Sequence, residues 1–268
     1  MQEISEEILN RKGVRKAEDI PADVLKLLNT GRLETANLTE WLAVDQLKLL
    51  GVVLDGMGKG NDSNSFTEPI RIQKKPTANS NTKLIGQTFG LLYEDAAVFE
   101  FLRSHPSDVV RCWGCWAESM QQNAISNLLT AMYRYAADTH FGVREVVIFA
   151  TKERLAEDLV SSIDILSGWT SAEDENVRRY AAEVLRPVGV WTKKITQLQE
   201  TPEMGLPLLA PLKSDASKYV QNSVANWLND ASKSNPEWVR SVCDTWKDQS
   251  DTKETNYIVK RALRSINK

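Results

Sequence analysis

Apolar residues recur three and four positions apart along most of the chain, the spacing of one face of a 3.6-residue helix. In LTEWLAVDQLKLLGVVL, opened by Asn37 as a candidate N-cap with Glu40 in the first turn, the pattern predicts a helix that ends at glycine. Residues 58–83, GKGNDSNSFTEPIRIQKKPTANSNTK, are rich in Gly, Asn, Ser and Pro and read as a long polar loop. Helical spacing resumes in LIGQTFGLLYEDAAVFEFLRSH, Pro106 and Ser107 open VVRCWGCWAESM, and NAISNLLTAMYRYAAD follows. From there on no strand-like alternation occurs, so the expected class is all-α. The expected organisation is an N-terminal helical region, 1–83, ending in the polar loop, and a helical-repeat region, 84–268, packed together as one domain.

The pattern also recurs at longer range. HFGVREVV (140–147), DENVRRYAAEVL (174–185) and DASKYVQNSVANWLND (215–230) share a polar turn followed by apolar residues four apart, namely Val143 and Val147, Val177 and Ala181, Val220 and Val224. Aligning Val143, Val177, Val220 and Ile258 gives intervals of 34, 43 and 38 residues, the period of paired-helix arrays of the HEAT and armadillo kind. Such a unit cannot bury its apolar face alone, so stacking completes the core and leaves a concave inner face as a natural binding surface. Behind each apolar position come Arg144 and Glu145, Arg178 and Arg179, Gln221 and Asn222, Val259 and Lys260. These residues form either a solvated flank with ion pairs between repeats or a surface that tracks phosphates.

Composition narrows the choice little. The chain has 268 residues, 42% hydrophobic and 26% charged, with a net charge of -3, so a nucleic-acid surface has to be local. Two segments are locally basic. Arg178, Arg179, Arg186, Lys193 and Lys194 face Glu183 alone, and Lys260, Arg261, Arg264 and Lys268 follow the last acid, Glu254. Cations spaced along repeats suit a phosphate backbone, although those in a final helix also complement its dipole. No apolar stretch has the length of a membrane span, the N-terminus is polar, and three cysteines make no disulfide framework; a cytoplasmic protein is expected.

Other chemistry is poorly supported. Cys112 and Cys115 have the spacing of a redox or metal pair, but no second pair follows and no strand precedes them. His105 and His140 cannot build a metal centre alone, and GMGKG at 56–60 lacks the spacing of a phosphate loop. No metal or cofactor is expected.

The stretches HPSDVVRCWGCWAESM, AADTHFGVREVV, ILSGWTSAEDENVRRYAAEVLRPVGVW, LPLLAPLKSDASKYVQNSVANWLNDASKSNPEWV and YIVKRALRSI, in that order, carry a resemblance to a known family. From about His105 to Lys268 the chain resembles the AlkC branch of the AlkC/AlkD family of HEAT-like DNA glycosylases, in a short form without the immunoglobulin-like domain that some members append. The resemblance implies hydrolysis of the N-glycosidic bond of cationic alkylated bases in duplex DNA, 3-methyladenine, 3-methylcytosine and 1-methyladenine among them. It also implies action without rotating the base into a deep pocket, and because a solenoid closing on duplex DNA can work alone, a monomer is expected. Such a base is already a good leaving group, and a carboxylate beside the sugar stabilises the oxocarbenium-like transition state.

The resemblance places that carboxylate at Glu145 and a backbone-binding arginine at Arg179. It sets Asn226 where the AlkD branch has a tryptophan, and Val146 where the usual AlkC pattern has one. Glu183 and Asp230 are the further carboxylate candidates. Glu183 serves chemistry or an ion pair with Arg179, and Asp230 lines the groove or bonds to Lys233. Trp191, in a basic loop-like stretch, is either a contact to sugar or an unstacked base or a plug between repeats. The candidate DNA-binding set is Arg144, Arg178, Arg179, Arg186, Trp191, Lys193, Lys194, Asn222, Asn226, Lys260 and Arg261. The alternative from another class is a HEAT-like protein that binds altered DNA structures without cleaving them.

Overall fold

The structure, a computed structural model, describes residues 4–189 and 192–266 and is all-helical, with no strand among the described residues. Residues group into two compact units, one of 1–121 with 139–147 and one of 122–138 with 148–268. The first contains α1 (Glu6–Leu9), α2 (Ala22–Asn29), α3 (Leu38–Ala43), α4 (Gln46–Gly56), α5 (Ser63–Arg71), α6 (Ala78–Leu92), α7 (Ala96–Arg103) and α8 (Asp108–Met120). The second contains α9 (Ile125–Ala136). The next helix, α10 (Phe141–Glu157), contributes residues through Val147 to the first unit and the remainder to the second. The second unit continues with α11 (Leu159–Trp169), α12 (Glu175–Glu183), α13 (Thr196–Glu200), α14 (Leu206–Leu209), α15 (Lys218–Ala231), α16 (Pro236–Gln249) and α17 (Lys253–Ala262).

Two expectations are corrected in the first unit. Asn37 does cap a helix, accepting from the Glu40 amide at 3.0 Å, but that helix stops at Ala43. Val44 is extended, and Asp45 caps a second helix through the Lys48 amide at 3.0 Å, so one predicted helix is two. The predicted loop 58–83 holds all of α5 and the first turns of α6. Phe66 and Ile70, four apart, are both buried, and Phe66 sits 4.6 Å from Phe89 between ring centroids. Thr77 and Ser80 form a capping box at the start of α6. The Ser and Thr residues that look loop-like in composition are therefore in part the residues that start a helix.

The first unit's core is the crossing of α6 on α8. It depends on Gly86, where an added Cβ would lie 2.4 Å from Trp116 Cβ and 2.6 Å from the Trp113 carbonyl oxygen. The absence of a side chain lets the two backbones meet. In the second unit α9 packs on α11 and α12, α12 on α15, and α15 on α16 and α17, so each helix pair covers the next. Trp227 anchors this stack, fully buried and donating its indole N–H to the Leu185 carbonyl at 3.0 Å.

One local feature fixes the start of successive repeats. The side chain following the repeat's apolar position folds back onto carbonyls of the preceding turn. Arg178 donates to Ala172 O (2.9 Å) and Glu173 O (2.8 Å), Gln221 to Asp215 O (2.7 Å), and Arg144 to Thr139 O (2.8 Å). Arg111, behind Val110, donates to His105 O at 3.0 Å in the same way, which reveals a copy upstream of those read from the sequence. These bonds satisfy carbonyls that the turn itself leaves unpaired.

Candidate functional site

The position directly behind each repeat's apolar residue is therefore structural. Arg178 adds a two-pronged ion pair to Asp215, with Nε at 2.7 Å and Nη2 at 3.1 Å, and that hydrogen-bonded carboxylate raises its pKa further. Arg178, expected on phosphates, has its donors on the turn and on the next repeat in this structure. Asp215, two residues before the Ser217 N-cap of α15, accepts both this pair and the Ser217 amide at 2.8 Å.

A buried network in the second unit takes three more of the candidates. Arg186 is buried and donates Nε to Asp230 at 3.0 Å and Nη1 to Glu183 at 2.6 Å. Asp230, 4% exposed, also accepts from Lys233 Nζ at 3.0 Å and from the Gly189 amide at 3.2 Å. Against burial, which works to lower it, the two carboxylates hold the Arg186 guanidinium above its ordinary pKa. Lys152, unremarked in the sequence, is buried beside them and donates to the Arg186 carbonyl at 2.8 Å. Burial, and then the nearby Arg186 charge, pushes its pKa down to about 8. Glu183 pairs with Arg186 rather than Arg179, and the carboxylate oxygens of Asp230 face cations and an amide. Arg186, Glu183 and Asp230 thus hold the end of α12 and the following turn to α15.

The second position behind each repeat's apolar residue has a different fate. Arg179 lies with its Cζ 4.7 Å from the Tyr219 ring centroid, Asn222 accepts from the Tyr257 hydroxyl at 2.8 Å, and Lys260 is exposed. Asn226 accepts from Arg264 at 2.9 Å, and Arg261 donates to the Tyr257 hydroxyl at 3.2 Å. These side chains line α12, α15 and α17 of the second unit. Lys194 is exposed, Lys193 is exposed and ion-paired with Glu153, and Trp191 lies outside the described residues. Lys218, Tyr219 and Tyr257 were missed in the sequence; the signal was the four-residue spacing of Lys218, Asn222 and Asn226.

Arg144 and Glu145 belong to the first unit. Glu145 is half-buried on α10 among buried Val143, Val146 and Val147. His140, at the start of this segment, is buried, and its ring lies 3.2 Å from Asp108 through Nδ1 and 2.7 Å from the Thr35 carbonyl through Nε2. Cys112 and Cys115 are buried, reduced thiols on α8. Among the described residues no helix is long and apolar enough to cross a membrane.

Comparison with known proteins agrees with this geometry. Residues 145–266 match the model of the DNA alkylation repair enzyme family. The uncharacterized protein YhaZ of Bacillus subtilis (strain 168) is 40% identical over 118 residues, 44% of this chain and 32% of that protein, so the chain spans about a third of that relative. The alkylpurine DNA glycosylase AlkC of Pseudomonas fluorescens, solved bound to DNA containing an abasic site analog, superposes with a TM-score of 0.68 at 23% identity. That match covers 84% of this chain and 63% of AlkC. AlkD2 from Streptococcus mutans superposes at 0.60 with 22% identity, covering 77% of this chain and 97% of its own. The chain thus has the all-helical fold of the AlkC and AlkD type, and its residues 145–266 match the DNA alkylation repair enzyme family.

Proposed function

We propose that the protein is a DNA glycosylase that hydrolyses the N-glycosidic bond of cationic alkylated bases in duplex DNA, with Glu145 as the carboxylate that stabilises the sugar cation. The observation that carries this reading is the coincidence of the family match over residues 145–266 with a repeat face bearing Arg179, Asn222, Asn226, Lys260 and Arg261. Glu183 and Asp230, the other two carboxylates singled out by sequence, are both paired with Arg186, and the resemblance is what supports Glu145.

The chemistry asks little of an acid. A 3-methyladenine, 3-methylcytosine or 1-methyladenine base carries positive charge and leaves as a neutral molecule, so no proton has to be delivered to it. As the C1′–N bond breaks, positive charge moves onto the sugar, and a half-buried anion stabilises it more than the ground state. Water then adds to C1′ and its proton passes to solvent or to the carboxylate, leaving an abasic site.

The test is release of free base from methylated duplex DNA by the purified protein, with each methylated base resolved. Catalytic release of any cationic base supports the reading. Tight binding to lesion-bearing or branched duplex with no base released at high protein concentration replaces it with a DNA-structure-binding protein.

A further inference from the structure

Buried indoles elsewhere in the chain spend their N–H inside the protein: Trp113 donates to Gln46 Oε1 at 3.3 Å and Trp227 to the Leu185 carbonyl at 3.0 Å. Trp41 on α3 is 3% exposed, and its Nε1–H meets no acceptor among the described residues. Buried donors left in this state are few in native structures, and each calls for an explanation.

The helix that presents this indole is firmly held. Glu40, buried directly before Trp41, takes Arg11 through Nε at 3.0 Å and Nη2 at 2.5 Å and accepts the Ala36 amide at 2.8 Å. Asn37, the N-cap of α3, donates to the Val14 carbonyl at 2.8 Å. The N-terminal segment is thus strapped to α3, and the ring that follows Glu40 has little freedom to turn elsewhere.

On α10 the residue that meets the indole is Gly142. A Cβ built there would lie 3.3 Å from Trp41 Cδ1, the ring carbon bonded to Nε1, and 3.1 Å from His140 Nδ1. The missing side chain lets the pyrrole edge of Trp41 close on the helix beside the His140 ring, which is itself fixed on Asp108 and the Thr35 carbonyl.

Glu145 stands three residues after Gly142 on the same helix face, a separation of about 5–6 Å between Cβ positions. Helical side chains tilt toward the N-terminus and cover the turn before their own Cα, so the Glu145 side chain leans back over residues 141 and 142. An anion that needs orientation and a donor that lacks an acceptor therefore share the ground above Gly142. Val143, Val146 and Val147, around Glu145, are buried and offer no polar group of their own side chains.

We infer that Trp41 is a positioning residue for Glu145: in the DNA-bound protein its indole N–H donates to one carboxylate oxygen and leaves the other for the sugar cation. The bond is charge-assisted and directional, so it fixes the rotamer of a side chain that has three free torsions. Hydrogen bonds of this kind are often loose in a free enzyme and tighten only when substrate is in place. The inference rests on the proposed glycosylase activity, and it gives a part in that activity to a residue outside the family match over 145–266.

The test is the single-turnover rate of base release from a methylated duplex for wild type, Trp41→Phe, Glu145→Gln and the double variant, with Trp113→Phe as control. Phenylalanine keeps a ring and removes the N–H in both places. Trp113 is fully buried on α8, so its replacement reports what a lost core indole does by itself. Rates are taken below the unfolding transition and expressed per folded molecule. Trp41→Phe should release base about tenfold more slowly with unchanged DNA affinity, while Trp113→Phe keeps the wild-type rate. In the Glu145→Gln background Trp41→Phe should slow release no further, because its effect passes through the carboxylate. A second measurement leaves Trp41 intact: indole N–H resonances of wild type and Glu145→Gln, each bound to the abasic product duplex. One indole signal should lie further downfield in wild type. A Trp41→Phe rate equal to the Trp113→Phe control overturns the inference, as does an equal further loss in the Glu145→Gln background, or indole spectra that do not respond to the carboxylate. A wild type that releases no base removes the glycosylase reading itself, whereas release by wild type with an unimpaired Trp41→Phe removes only the positioning.

Discussion

Replacing Asp230 separates a structural carboxylate from a catalytic one. Asp230 Oδ2 accepts from Arg186 Nε at 3.0 Å and from the Gly189 amide at 3.2 Å, and Oδ1 accepts from Lys233 Nζ at 3.0 Å. Asp230→Ala leaves buried Arg186 with Glu183 as its remaining carboxylate, and the Gly189 amide without its acceptor. Breaking a buried ion pair from one side costs about 3–5 kcal/mol. Asp230→Asn keeps one oxygen for Arg186 and Gly189 but loses the charge assistance and the exposed bond from Lys233, together about 1–2 kcal/mol. For a chain of this size each kcal/mol moves the thermal midpoint by roughly 2–4 °C, so the alanine variant should unfold on the order of 10 °C lower and the asparagine variant a few degrees lower. The assay is thermal unfolding by circular dichroism beside single-turnover base release below the transition. Both variants should release base at the wild-type rate per folded molecule. An Asp230→Asn protein with the wild-type midpoint and no base release would refute the reasoning and return Asp230 to the chemistry.

Two further outcomes follow from the same residues. Arg178→Ala removes the pair to Asp215 and the bonds to two carbonyls, so it should lower the unfolding free energy by about 2–4 kcal/mol while leaving the salt slope of DNA binding unchanged; urea unfolding and DNA-binding anisotropy across a salt series check the two halves. Lys152 has a folded-state pKa near 8, lowered from 10.5 by burial and by Arg186, with Asp230 and Glu183 opposing. Between those values the unfolded chain binds the proton and the folded chain does not, so stability should rise with pH from about 8 to 10.5 relative to Lys152→Met. Urea midpoints at pH 7.5, 9 and 10.5 measure this, and parallel curves for the two proteins would contradict it.

The helical class was legible because long amphipathic stretches such as α8 and α15 repeat the 3.6-residue pattern several times. The stretch 58–83 was not, because α5 buries only Phe66 and Ile70, and its polar surroundings share the composition of loops. The split of the predicted 38–54 helix was equally hidden: Asp45 lies inside an apolar pattern, and only the backbone turn at Val44 shows that it is a cap. At the site, the repeat register was readable from Val143, Val177 and Val220, but the destination of the next side chain was not. Arg178 and Arg179 are adjacent and alike in sequence. One folds back on its own turn and pairs with Asp215, while the other lies over Tyr219. Sequence spacing specifies the face on which a side chain begins, not the carbonyl or ring on which a six-atom arm ends. The network around Arg186 joins residues 152, 183, 186 and 230, separations at which no local pattern operates.

The central claim is that one carboxylate on α10 stabilises the sugar cation. It is tested most directly by the single-turnover rate of base release from a methylated duplex for wild type and Glu145→Gln, with all DNA bound. The substitution keeps the size and one acceptor oxygen of the side chain and removes its charge. The account predicts at least a ~100-fold slower release with DNA affinity equal to or above wild type, since an anion is removed from near phosphates. A rate within a few-fold of wild type would contradict it.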